Sequence, residues 1–65
     1  QYTKAGLLLK GVRVREGMSQ KAFAQMLEIP QSNLSAMETG RRAIGKIIAK
    51  RIEKMFQVNY RYFLE

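Results

Sequence analysis

Apolar residues recur every three or four positions along nearly the whole chain, and the pattern breaks at Gly17, Pro30 and Gly40. That period stacks side chains on one face of a helix, so the breaks divide the chain into short helices that must share one core. The apolar positions are Leu8, Leu9 and Val12, then Phe23, Ala24 and Leu27, then Leu34 and Met37, then Ile48, Ala49, Ile52 and Phe56. No stretch alternates with a period of two between hairpin turns, so no sheet is expected. The pattern is all-α.

Punctuation sets the boundaries. Gly17 can end a first helix spanning about Thr3 to Glu16, and Ser19 can cap a second that starts at Gln20 and ends near Leu27. Pro30 stands at the head of a third helix, about Gln31 to Thr39, where its missing N–H costs nothing, and Gly40 can close that helix in the left-handed conformation. A fourth helix is predicted from about Gly45 to Phe56, with a last turn over Tyr60 to Leu64.

A chain of 65 residues is long enough for one small domain, here taken as residues 1–65. It contains no cysteine, histidine or aspartate. That excludes disulfides and thiolate chemistry, removes nearly every common metal site, and leaves five glutamates with no obvious catalytic pair, so neither metal nor cofactor is expected. The longest uninterrupted apolar run in the first helix is Leu7-Leu8-Leu9, far short of a membrane span, and nothing resembles a signal peptide. A soluble, cytoplasmic chain is expected. Its formal charge of +7 favours a polyanionic partner, nucleic acid before an acidic membrane surface.

The second and third helices are separated only by Glu28-Ile29-Pro30. Two helices joined so tightly form a helix-turn-helix unit, here about residues 19–40, in which the second helix can be pushed into a DNA major groove. The outer face of the third helix carries Gln, Ser and Asn rather than long charged side chains. Short polar groups can reach donors and acceptors on base edges at close range.

From Arg13 onward the chain resembles the phage repressor and Cro family of helix-turn-helix proteins, also called the xenobiotic-response-element family. The likeness rests on Arg13, Gly17-Met18-Ser19-Gln20, Phe23-Ala24, Leu27, Gln31-Ser32-Asn33-Leu34-Ser35, Glu38-Thr39-Gly40-Arg41-Arg42, Val58 and Phe63-Leu64. Any one of these would occur by chance; their joint order and spacing are specific. The resemblance implies a compact five-helix bundle of the lambda-repressor-like type that binds a double-stranded operator, usually as a homodimer, in a transcriptional regulator of prokaryotic or phage type. A repressor is the preferred reading. The alternative is an antitoxin, whose helix-turn-helix binds a toxin partner and autoregulates its operon.

Residue by residue, the likeness gives Gln31 and Ser32 the reading of base edges, with Ser35 and Ala36 following on the same exposed side. It has Gln20 bind a phosphate and brace Gln31, and it sets Thr39, Arg41 and Arg42 against the sugar-phosphate backbone, with Asn33 and Lys46 in backbone contact or bracing. It also pairs Arg13 with Glu38 across the first and third helices as a structural ion pair.

Two departures bear on the turn. Glu28 stands where the family often has glycine, at a position that favours positive φ. Pro30 replaces the usual Ser or Thr cap and loses its oxygen. Lys46, Lys50 and Lys54 line one face of the fourth helix and read as a solvated stripe, Lys46 being the exception nearest its N-terminal end. Met18, Met26, Met37 and Met55 are expected in or near the core, as are Phe23, Phe56 and Phe63, while Tyr60 and Tyr62 fit either a core or a dimer interface.

Overall fold

The computed structural model describes residues 2–64. Four α-helices follow one another, α1 (Lys4–Arg15), α2 (Gln20–Leu27), α3 (Gln31–Glu38) and α4 (Lys46–Phe56). The chain closes with a single 3₁₀ turn, Tyr60–Phe63, in place of a fifth α-helix. Four residues cannot propagate an α-helix against the cost of its nucleus, and Asn59 caps the tighter turn by accepting from the Arg61 N–H at 3.0 Å.

The helix ends follow local chemistry. Thr3 caps α1 by accepting from Gly6 N–H at 3.0 Å, and Ser19 caps α2 by accepting from Ala22 N–H at 3.1 Å. Gly17, at φ 70°, closes α1 one turn back on itself, with the Met18 N–H donating to the Arg13 carbonyl at 3.1 Å. Pro30 gives α3 no side-chain cap, and its carbonyl accepts from Asn33 and Leu34 instead.

Glu28 takes the left-handed conformation that glycine would, φ 59° and ψ 43°. The turn therefore keeps its shape and Glu28 bears the conformational penalty, on the order of 1 kcal/mol for a non-glycine residue there. The Ile29 N–H donates to the Ala24 carbonyl at 3.0 Å, which closes α2 in the same way as α1.

Leu9, Phe23, Leu27, Leu34 and Ile52 are fully buried, joined by Met37, Ala49 and Phe63. Phe56 is half-buried against this core, its ring centroid 5.4 Å from that of Phe23. Met26 and Met55, expected in or near the core, are exposed. Each sits on a helix whose core-facing positions are already filled, by Phe23, Ala24 and Leu27 in α2 and by Ala49 and Ile52 in α4. Ile44, in the loop before α4, is buried in their place.

Helix α1 lies so close to the C-terminal end of α3 that a Cβ on Gly6 would come within 2.5 Å of the Met37 carbonyl oxygen and 2.8 Å of that of Glu38. Alanine normally stabilises a helix over glycine by about 1 kcal/mol. Here backbone would have to move, so Gly6→Ala should destabilise by about 1 to 3 kcal/mol. Gly11→Ala, in open space on the same helix, should raise stability by ~0.5 to 1 kcal/mol. Thermal unfolding of the two variants checks the opposite signs; a Gly6→Ala protein as stable as the parent would mean that the helices are not in this contact.

Candidate nucleic-acid interface

Helix α3 turns Leu34, Met37 and Glu38 inward. Gln31 and Ser32, in its first turn, are exposed, while Asn33, Ser35 and Ala36 are half-buried. Ser35 and Ala36 are thus less open than the sequence suggested. The following loop folds back over that end of the helix: the Arg41 and Arg42 N–H groups both donate to the Ala36 carbonyl, at 2.9 and 3.2 Å, and the Thr39 hydroxyl donates to the Ser35 carbonyl at 3.0 Å.

The inner side of α3 is anchored through the carboxylate of Glu38. Arg13 donates from Nε to Glu38 Oε2 at 2.7 Å and from Nη2 to Oε1 at 3.2 Å. Its Nη1 donates to the Met18 carbonyl at 3.0 Å, and Gln20 Nε2 donates to Glu38 Oε1 at 3.0 Å. One carboxylate therefore joins α1, α2 and α3, and Arg13 ties in the connection after α1. Among the described residues no buried side-chain nitrogen or oxygen lacks a partner, the condition under which a buried charge is tolerated.

In the chain without DNA the Gln20 amide donates to Glu38 rather than to Gln31. An ionised carboxylate is the stronger acceptor, and it lies beneath the head of α2. Gln31 keeps its amide free of any partner among the described residues.

Cationic groups gather just past α3. Arg41 and Arg42 are exposed in the loop, with no acidic partner among the described residues. Thr39 accepts from Arg41 Nε at 3.1 Å, so the hydroxyl that ties the end of α3 also steadies the guanidinium. Lys46 is the first residue of α4, whose cap, Gly45 at φ 80°, makes no side-chain bond. The N–H groups of that first turn carry a partial positive charge beside Lys46. Lys50 lies 5.3 Å from the centroid of the Tyr60 ring, which draws it toward the 3₁₀ turn. Tyr60 is half-buried against the core and Tyr62 is exposed.

Sequence reasoning did not find Arg51, whose Nη1 donates to the Leu27 carbonyl at 2.7 Å and ties the end of α2 to α4. No spacing marks it, because its partner is a backbone oxygen 24 residues away. Among the described residues no cluster of acids could hold a metal ion, and no helix is long and apolar enough to cross a membrane.

A family model described as helix-turn-helix matches residues 9–63, covering all four helices but the first turns of α1. Neither the curated proteins nor the solved structures include a match.

Proposed function

We propose, because the chain belongs to the Cro/repressor-type helix-turn-helix family and so binds DNA sequence-specifically as part of a transcriptional regulator, that it represses by covering an operator as a symmetric dimer. In this reading α3 enters the major groove by its N-terminal end, with Gln31 and Ser32 on base edges and Ser35 and Ala36 deeper along the groove wall. Thr39, Arg41, Arg42 and Lys46 grip the flanking phosphates, and Gln20 and Asn33 approach the backbone at the heads of α2 and α3.

One observation carries the reading. The front of α3 presents Gln31 and Ser32 exposed and uncharged, on a helix whose rear is pinned by the Glu38 network. A rigid helix with free amide and hydroxyl groups at its tip can hydrogen-bond bases without first losing much side-chain or backbone freedom. A glutamine amide matches the donor and acceptor pair of adenine.

Gln31→Ala should therefore weaken binding to the best operator by about 1 to 3 kcal/mol and change binding to unrelated duplex very little. A selection from random duplexes supplies the operator; wild type and variant are then profiled over operators altered one base pair at a time. In a symmetric dimer the lost preference appears in both half-sites, about one helical turn or ~10 base pairs apart. An unchanged preference would show that bases are not read through Gln31.

A further inference from the structure

The outward side of α1 carries a set of residues that the DNA-binding reading leaves unused. Lys4, Leu7, Leu8, Gly11 and Arg15 follow one another at i, i+3, i+4, i+7 and i+11, which lines them up in one stripe. Gly6, Leu9 and Arg13, on the opposite side of the helix, face α3 and the core. Leu7 is 53% exposed and Leu8 40%, a large apolar presence for a single helix face. Together with Gly11 they form one wall of a groove of about 350 Å³; Val58 and Tyr62, the latter 61% exposed, form the other, and Arg15 lies on its rim.

Gly11 forms part of that wall. It is mid-helix, has no positive φ, and a Cβ there would meet nothing within 4 Å. No contact within the chain accounts for a residue that weakens the helix. A glycine in an apolar groove does allow another backbone to come close.

Charge selects the occupant. The stripe begins at Lys4 and ends at Arg15, Arg61 adjoins Tyr62, and no acidic residue among the described residues lines the groove. Arg15 pairs with Glu16 at 3.2 Å, but both side chains are well exposed, and such a pair is easily exchanged. A second copy laid along the stripe would bring Lys4 or Arg15 against its own cations in either direction. Like charges so placed oppose association. A helix with an apolar stripe flanked by carboxylates fits both the groove and its rim.

We propose that this groove docks an acidic amphipathic helix of a partner protein. Because it lies on the side of α1 turned away from α3, the partner helix docks while α3 is engaged with DNA, and the domain holds a second protein at the operator.

The test uses two synthetic helical peptides that share a leucine stripe, one with glutamate flanks and one with lysine flanks. Each is titrated into isotope-labelled protein and followed by backbone amide shifts. The glutamate peptide should shift Leu7, Leu8, Gly11 and Tyr62, binding at least about tenfold more tightly than the lysine peptide. Gly11→Met fills the groove from a position where an added Cβ meets nothing within 4 Å, and an unchanged thermal midpoint shows that the fold is kept. It should weaken the glutamate peptide by at least about tenfold while DNA affinity, measured separately, stays unchanged. The proposal is overturned by equal binding of the two peptides, by the absence of shifts at millimolar peptide, or by shifts centred on α3 and Arg41. A concentration-dependent dimer that Gly11→Met dissolves would assign the groove to a second copy and also overturn it. Loss of DNA affinity in the parent protein would bear on the operator reading alone.

Discussion

Arg13→Ala is expected to destabilise the fold by about 3 kcal/mol or more, since removing one partner leaves the other charge buried and uncompensated. The side chain of Glu38 is 3% exposed and that of Arg13 14%, so the stranded carboxylate would keep only the Gln20 N–H as a donor. For a domain of this size the loss corresponds to a fall of roughly 12 °C or more in the thermal midpoint. Glu38→Ala should cost less, because Arg13 is nearer to water and keeps the Met18 carbonyl. Arg13→Met combined with Glu38→Leu should recover much of the loss, because apolar residues of similar volume remove both desolvated charges together. A double-mutant cycle read by thermal unfolding decides the matter. Additive single effects, each below ~1 kcal/mol, would place the pair among weak surface interactions.

DNA affinity is expected to fall about 1,000-fold between 50 and 200 mM salt. Arg41, Arg42 and Lys46 from each of two subunits would neutralise about six phosphates, and each neutralised phosphate contributes about −0.9 to the slope of log affinity against log salt. The expected slope is therefore about −5. Arg41→Ala or Arg42→Ala should make it less steep by about 1.8 in a dimer, one phosphate for each subunit, and weaken all duplexes alike while the preferred sequence stays the same. Thr39→Val should move in the same direction by less, because it only frees the Arg41 guanidinium from its hydroxyl partner. Titrations at several salt concentrations give both slopes; an affinity indifferent to salt would remove the phosphate contacts from the mechanism.

Much of this was legible in the sequence because it is written in local signals. Ser19, Gly17, Pro30 and Gly40 act within one or two turns of themselves, so the ends of α1, α2 and α3 lie within a residue of where the punctuation sets them. The spacing of Phe23, Ala24 and Leu27, and of Ala49 and Ile52, marks faces that are in fact buried. Met26 and Met55 lie at the surface instead, because residue type indicates a tendency to be buried, whereas the seat a residue takes depends on which neighbours already fill the core.

Other features had no local sign. Gly6 reads as a weak point in a helix until α3 is seen 2.5 Å from where its Cβ would be. Arg51 reads as one more surface cation until its partner, the Leu27 carbonyl, is in place. In the opposite direction, Glu28 is a departure from the family's usual glycine, and the fold holds it in the left-handed conformation that glycine would take. A penalty on the order of 1 kcal/mol is small beside the burial of Leu27 and Leu34 on either side of the turn.

The sequence by itself determined the all-α class, the helix-turn-helix spacing, the basic charge and the small polar front of α3, because periodicity, capping and charge are properties of neighbouring residues. Only the tertiary structure decided that Gln20 is held by Glu38 while Gln31 stays free, that the chain ends in a 3₁₀ turn, and that Leu7, Leu8 and Gly11 line an open groove. Each of these depends on which groups, distant along the chain, meet when α1, α2, α3 and the last turn close on one core. A hydrogen bond goes to the strongest acceptor within reach, and reach is set by packing.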